Sequence, residues 1–343
     1  MDFSTLQQLT QLPGVSGRES AVRRFISQQV APYADDVKTD ALGNLIVLKK
    51  GTSDKNLLLA AHMDEVGLMI HYIGPDGFLR FVPVGGIDPR TLLAQRVTVH
   101  TSGGEALLGV IGTRPAHVTT EAERGKAVPI GDLFIDVGLT GAEAAARIQV
   151  GDFATLRRPY EEFGSGRLTA KALDNRSGVF VLLELLKALK NPFYNVYAVF
   201  TVQEEVGLRG AGTAAYGIEA HLALAIDTTG AADIAGTAPQ NYITALGAGV
   251  GVTAIDARTI THEGLFNALK RLCLAKNIRY QVRVAPRGGN DAGAIHQSKT
   301  GVPCCALSIP TRYIHSNTEV QCKSDLEQTL ALALAVAQEE LVI

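Results

Sequence analysis

Between about Gly67 and Gly166 the chain changes texture, and that change limits what it can fold into. On either side, apolar runs of strand length alternate with segments of helical period. Val37–Thr39 and Leu45–Lys49 read as short strands, and Leu57–Ala61 is a continuous apolar run, the pattern of a strand buried on both faces. After Gly166, Asp174–Leu189 reads as a helix, Val196–Val202 as a strand, Gly210–Tyr216 as a helix and Leu222–Ile226 as a strand. Tyr242–Leu246 and Val250–Ala254 read as extended, Thr261–Lys276 as an amphipathic helix, Tyr280–Val284 as a strand, Asp291–His296 as a short helix and Cys304–Ser308 as a strand. Two capping boxes, Ser16-Gly17-Arg18-Glu19 and Ser324-Asp325-Leu326-Glu327, announce an early helix and the final one. Between the two halves lie short alternating segments: Leu68–Ile73, Phe78–Pro83, Arg96–His100, Leu107–Ile111, Ile135–Val137 and Phe153–Leu156. Turns such as Pro75-Asp76-Gly77 separate them, and one short helix falls around Gly141–Ile148. The simplest architecture is one α/β domain, residues 1–66 and 166–343, with a β-rich, barrel-like module, residues 67–165, inserted into it.

The totals agree with about two domains and a large core: 343 residues, 46% apolar and 19% charged. A net charge of -2, with acid and base mixed along the chain, argues against nucleic acid or an acidic membrane surface as a main partner. No apolar run approaches the roughly 18 residues of a membrane span. The start, MDFSTLQQLTQLPG, lacks the basic and apolar regions of a signal peptide. Cys273, Cys304, Cys305 and Cys322 match no zinc-knuckle spacing and read as reduced core thiols, which suits the cytoplasm.

Chemistry-bearing side chains cluster just past the ends of the apolar strands, where open α/β sheets build their sites. His62 and Asp64 follow Leu57–Ala61, two apart on one face of extended chain, so Asp64 can orient the imidazole. Asp174 opens a helix, where it is either an N-cap or a carboxylate able to bridge two cations. Glu204 and Glu205 are adjacent carboxylates at the end of an apolar strand, a costly pairing unless cations lie close. Asp227 closes a buried strand, and His315 stands alone in a loop. Each has an ordinary reading as cap, turn or surface residue. Together, two His and three carboxylates supply the nitrogen and oxygen donors that zinc, cobalt or manganese accept. With Asp174 as bridge, His62 with Glu205 or Asp227 and His315 with the other satisfy the count for two ions about 3.5–4 Å apart.

The segments AHMDEVG, KALDNR, QEEVGLRGA, AIDTT and YIHS, in that order, resemble the tetrahedral aminopeptidases, also known as glutamyl or deblocking aminopeptidases, among the co-catalytic zinc peptidases. The resemblance covers nearly the whole chain. It implies a mixed-sheet α/β/α catalytic domain with the inserted module serving dimerisation, and dimers that assemble into a tetrahedral dodecamer. It implies that His62 and Asp227 bind one metal, that Glu205 and His315 bind the other, and that Asp174 bridges. Glu204 is then the general base and Asp64 orients His62. The implied activity is hydrolysis of N-terminal residues from short peptides through a metal-activated water, with two divalent ions per subunit, zinc first and cobalt or manganese as alternatives. The competing enzyme reading is a carboxypeptidase or N-acyl amino acid deacylase of the same superfamily; those usually carry the extra domain after the residue corresponding to Asp227, whereas here it falls between Asp64 and Asp174. A non-catalytic metal-binding assembly protein is the competing reading from another class, and an intact Glu204 argues against it. Gly288-Gly289-Asn290-Asp291 is either a pocket-shaping turn or a plain one, and Arg258 either reaches an acidic substrate side chain or is solvated.

Overall fold

The computed structural model describes residues 1–118, 120 and 126–343. Its centre is an eight-stranded mixed sheet. The strands are β1 (Asp36–Thr39), β2 (Leu45–Lys49), β3 (Asn56–His62), β12 (Asn195–Thr201), β13 (Leu222–Gly230), β14 (Val250–Ile255), β15 (Tyr280–Val284) and β16 (Cys304–Thr311). Their order is β1-β2-β12-β3-β13-β16-β14-β15, and β12, β3, β13 and β16 run parallel through the middle.

Alternation along these strands splits the apolar residues between two cores. Leu57, Leu59 and Ala61 of β3 face the larger one, built with α1 (Ser4–Gln11), α2 (Ser20–Val30), α4 (Leu173–Ala188), α6 (Glu263–Ala275) and α8 (Lys323–Gln338). Leu58 and Ala60 face the smaller one, built with α5 (Arg209–Tyr216) and α7 (Ala292–Ile295). The adjacent thiols Cys304 and Cys305 divide the same way, one to each core, and the cysteines are free and buried. The result is an α/β/α sandwich.

Six further strands close into a barrel in the order β4-β5-β8-β7-β6-β9. They are β4 (Gly67–Ile73), β5 (Leu79–Val84), β6 (Arg96–His100), β7 (Ala106–Gly112), β8 (Phe134–Asp136) and β9 (Phe153–Leu156). The barrel has its own core, including Leu68, Ile70, Phe81, Val97, Val99 and Ile135, with Ala144 and Ile148 from the region of α3 (Gly141–Arg147) packed on it. A small third sheet, β10 (Glu161–Phe163), β11 (Arg167–Ala170) and β17 (Glu319–Cys322), follows the barrel and sets Glu319 opposite Ala170.

Several local expectations give way to tertiary partners. The Ser16–Glu19 capping box does not form: Glu19 makes no side-chain cap, and Ser16 Oγ instead donates to Asp64 Oδ2 at 2.6 Å. The box at Ser324–Glu327 is also absent, because the helix already starts at Lys323 with Cys322 as its N-cap; the Asp325 carboxylate instead accepts from the backbone N–H groups of Gly247 and Gly249. A capping box does form on α3, between Thr140 and Glu143. Tyr242–Leu246 is loop rather than strand, and Asp174 is not an N-cap. Helix α1 and strands β10, β11 and β17 carry too little periodicity to stand out in the sequence.

Candidate metal centre

Register places the site. Parallel pairing sets Thr201 of β12 beside His62 of β3, and Asp227 of β13 beside Ser308 of β16. Pairing between β3 and β13 runs to Ala60 and Ala225, so Asp227 falls level with His62 just where the two strands part. β3 is flanked by β12 on one side and β13 on the other, with α4 and α5 on opposite faces. That divergence opens a crevice at the C-terminal edge of the sheet. Glu204 and Glu205 follow β12 across it, Asp174 enters from the start of α4, and His315 descends from the loop between β16 and β17. The backbone in these segments is tight. Ala172, Gln203 and His315 all have left-handed φ values of 56–60°, a strain that surrounding structure must hold in place.

The five sequence-flagged donors, the general-base candidate Glu204 and Asp64 all meet here. His62 Nε2 lies 3.3 Å from Asp174 Oδ1, 3.4 Å from Asp227 Oδ1 and 4.0 Å from Glu204 Oε2. His315 Nε2 lies 3.2 Å from Asp174 Oδ2 and 3.3 Å from Glu205 Oε2. Asp174 therefore turns one oxygen to each imidazole. Donor atoms of His62, Glu204 and Asp227 lie within 4.8 Å of one another, as do those of His62, Asp174 and Glu205.

The supporting groups are as informative as the donors. Asp64 Oδ1 faces His62 Nδ1 at 3.4 Å and accepts from Glu204 N; its Oδ2 accepts from Glu205 N and Ser16 Oγ. One buried carboxylate thus fixes the His62 ring and the backbone of both glutamates. Glu319, which sequence reasoning missed, does the same for the other half: Oε1 accepts from His315 N at 2.8 Å and Oε2 from Asp174 N at 2.9 Å. His315 Nδ1 meets the carbonyl of Gly86, in the loop after β5, at 2.7 Å. Donating Nδ1–H there leaves Nε2 as the acceptor that faces the cluster. Beneath the site, Glu65 is held by Lys171 Nζ at 2.7 Å and Arg176 Nη2 at 3.4 Å, all three buried. Arg176 also donates to the carbonyls of Met63, Leu9 and Leu12 and so ties α1 to the strand end.

Electrostatics show what the cluster lacks. Burial, reinforced by Asp227, Asp291 and Glu205, drives the Glu204 carboxyl well above its usual range. Burial and the neighbouring Asp174 push Glu205 up to about 8. Burial raises Asp227 as well. Burial also opposes ionisation of Asp174, yet the adjacent imidazoles of His315 and His62 outweigh it and hold that carboxyl well below normal. For His62, burial is overcome by Asp227, Glu204 and Asp174, which lift it well above the ordinary imidazole value. These are carboxylates short of positive charge, which divalent ions supply. Two buried oxygens, Asp174 Oδ1 and Glu205 Oε1, have no hydrogen-bond partner among the described residues. Orphaned carboxylate oxygens converging with imidazole Nε2 atoms match a metal-binding donor set.

The cluster lines a cavity of about 500 Å³, large enough for the end of a peptide but closed at its base by the sheet. Buried, cation-seeking carboxylates at the floor of such a cavity define a metal-dependent hydrolase. The chain matches the M42 glutamyl aminopeptidase family over residues 43–332 and belongs to it; it is a metal-dependent aminopeptidase. It is 37% identical to a putative aminopeptidase of Acetivibrio thermocellus over 96% of each chain. It is 33% identical to the lysyl aminopeptidase of Pyrococcus furiosus, covering 99% of this chain and 97% of that one. Among solved structures, an aminopeptidase of the archaeon Desulfurococcus kamchatkensis superposes with a TM-score of 0.95 at 41% identity, covering 98% and 94% of the two chains. The TET1 peptidase of Pyrococcus horikoshii, described as assembling into a tetrahedron or a large octahedral shell, gives 0.89 at 36% identity over 98% and 99%. No helix among the described residues is long and apolar enough to cross a membrane.

Proposed function

We propose that the chain removes N-terminal residues from short peptides with two divalent ions held in this cluster. The observation that carries the count is Asp174, whose Oδ1 faces His62 Nε2 at 3.3 Å and whose Oδ2 faces His315 Nε2 at 3.2 Å. His62 and Asp227 would hold one ion, Glu205 and His315 the other, with Asp174 between them. The nitrogen and oxygen donors suit zinc, with cobalt and manganese as alternatives. When bound, such a pair supplies Lewis-acid polarisation of the scissile carbonyl and lowers the pKa of a water.

Glu204 lies farther from His62 than Asp227 does, at 4.0 Å against 3.4 Å, and is the carboxylate left over for proton transfer. It takes the proton of the attacking water and returns it to the leaving amine. A carboxyl whose affinity for protons is raised by burial suits that role. Asp64 holds the His62 ring and the Glu204 backbone while this happens. The positively charged peptide N-terminus is drawn to the carboxylate floor, which favours exopeptidase action.

The barrel would serve as the dimerisation module, residues 67–165, between catalytic segments 1–66 and 166–343. Supporting this, barrel strands expose Tyr72, Val82, Leu108 and Val110. Assembly of such dimers into a tetrahedral dodecamer is supported by solved relatives described as a dodecamer and as forming a tetrahedron or a large octahedral shell, and the buried free thiols suit the cytoplasm. Relatives named for lysyl and for glutamyl residues leave the preferred N-terminal residue open.

Metal content by emission spectroscopy, after loading with zinc, cobalt or manganese, should give two ions per subunit. Free-amine peptides should be cleaved and N-acylated amino acids left intact. One ion at full activity removes the dinuclear reading; turnover confined to acylated substrates removes the aminopeptidase one.

A further inference from the structure

A second cavity, of about 450 Å³, shares no lining residue with the metal cavity. One wall is the outer face of the barrel. Alternation along β6 and β9 sends Val97, Val99 and Ala154 into the barrel core and turns Arg96, Thr98 and Thr155 the other way. The backbone N–H of Arg157 donates to the carbonyl of Arg96 at 3.0 Å. The ladder thus continues one step past Leu156 and sets the two arginines opposite one another. The other wall comes from the catalytic domain, with Gln11 at the end of α1 and Lys171 just before α4. Gln11 Nε2 donates to the carbonyl of Arg158 at 3.1 Å and so holds the segment that leaves the barrel.

Four basic side chains line this space, Arg96, Arg157, Arg158 and Lys171, and among the described residues no carboxylate does. Their charges are met unequally. Lys171 shares Glu65 with Arg176, two buried cations to one carboxylate. Arg158 Nη2 lies 3.1 Å from Glu161 Oε2 in an exposed pair that solvent screens, while its buried Nε has no partner. Arg96 and Arg157 are exposed, and among the described residues neither guanidinium has a hydrogen bond or ion pair. A single unpaired surface arginine is ordinary. Two set directly across a ladder repel each other and cost stability, and here a third guanidinium with an unanswered N–H lines the same cavity. An anion held among them removes both costs.

We propose that this cavity at the junction of barrel and catalytic domain binds an oxyanion of the phosphate class, held chiefly by Arg96 and Arg157. A guanidinium fork pairs with two oxygens at a time. One carboxylate therefore fills one fork, whereas a compact dianion with three or four oxygens serves several. Inorganic phosphate and a phosphate monoester both present that group. Either would clamp the barrel to the catalytic domain, because its ligands come from both sides.

The test uses the full metal-loaded chain. Calorimetry with orthophosphate and with glycerol 3-phosphate should show binding with a Kd of about 1 mM or tighter, and glutarate, the dicarboxylate control, should bind more weakly. Tighter orthophosphate assigns free phosphate as the occupant, tighter glycerol 3-phosphate assigns an ester, and both support the proposal. Arg96→Ala and Arg157→Ala should each weaken phosphate by at least about tenfold. Without phosphate these variants should unfold at the parent's midpoint or above it, because a like-charge pair is gone, and phosphate should raise the midpoint of the parent alone. On the unaltered chain, phenylglyoxal should modify Arg96 and Arg157, read by peptide mass spectrometry, and phosphate should protect both. Should the variants unfold early, that protection decides. Glutarate that binds as tightly as phosphate overturns the proposal, as do arginines left unprotected at saturating phosphate. Phosphate affinity that survives both substitutions and disappears on chelation belongs to the metal centre and overturns it too. So does a parent that gives no phosphate heat while the variants change oligomer mass, since the cavity then receives a neighbouring copy.

Discussion

The two halves of the metal centre are built differently. The His62 half belongs to the sheet: His62 ends β3, Asp227 lies within β13, and His62 is 2% exposed. The His315 half belongs to a loop with left-handed backbone, and the His315 side chain is 33% exposed. Strand register aims the first imidazole; the second is aimed by what reaches it from elsewhere, Glu319 on the small sheet and Gly86 from beyond β5. One set of candidate donors thus stands on rigid scaffold and the other where solvent and neighbouring segments have access.

The largest effect should come from Glu204→Gln, which leaves both donor sets intact but removes the proton acceptor. The variant should keep its metal and lose at least about two orders of magnitude in kcat. Normal turnover in that protein would take Glu204 out of the mechanism. Next, Asp64→Asn strikes the sheet half, because one carboxylate serves the His62 ring and the N–H groups of Glu204 and Glu205. Metal affinity should fall about 10–100-fold, read by competition with a chromogenic chelator. Glu319→Gln strikes the loop half and should cost about tenfold in affinity for the ion at His315, and less for the ion at His62, which it reaches only through Asp174. If Glu319→Gln weakened both ions equally, the halves would not be separable. The smallest effect is an order of events: stepwise chelation should release one ion faster than the other, and the faster one should be absent from a His315→Ala protein.

This asymmetry also explains what could be read from the sequence. The polar residues that end apolar strands, His62, Glu204, Glu205 and Asp227, stand out because a buried run must stop for a reason, and the structure brings them together with Asp174 and His315. The α/β alternation and the barrel were legible too, since each rests on local periodicity. What stayed hidden is non-local. Ser16 looked like a helix cap, but its partner is Asp64, 48 residues away. Glu319 sits in a four-residue strand with no pattern of its own, and its two acceptor bonds span 145 and 4 residues. Side chains that compete between a local backbone N–H and a distant buried partner cannot be assigned from neighbours alone. Spacing left Glu205 or Asp227 open as the partner of His62; in the fold Asp227 Oδ1 lies 3.4 Å from His62 Nε2, and Glu205 Oε2 lies 3.3 Å from His315 Nε2.

The Gly86 carbonyl that meets His315 Nδ1 belongs to the chain between two barrel strands. The barrel therefore cannot be treated as a detachable cassette. A chimera that swaps it for another β-module, or excises it between β3 and β11, would preserve every side-chain ligand and yet leave one imidazole free to rotate or change tautomer. Any graft designed on this scaffold has to carry over a main-chain oxygen that no residue-by-residue inventory of the active site would record.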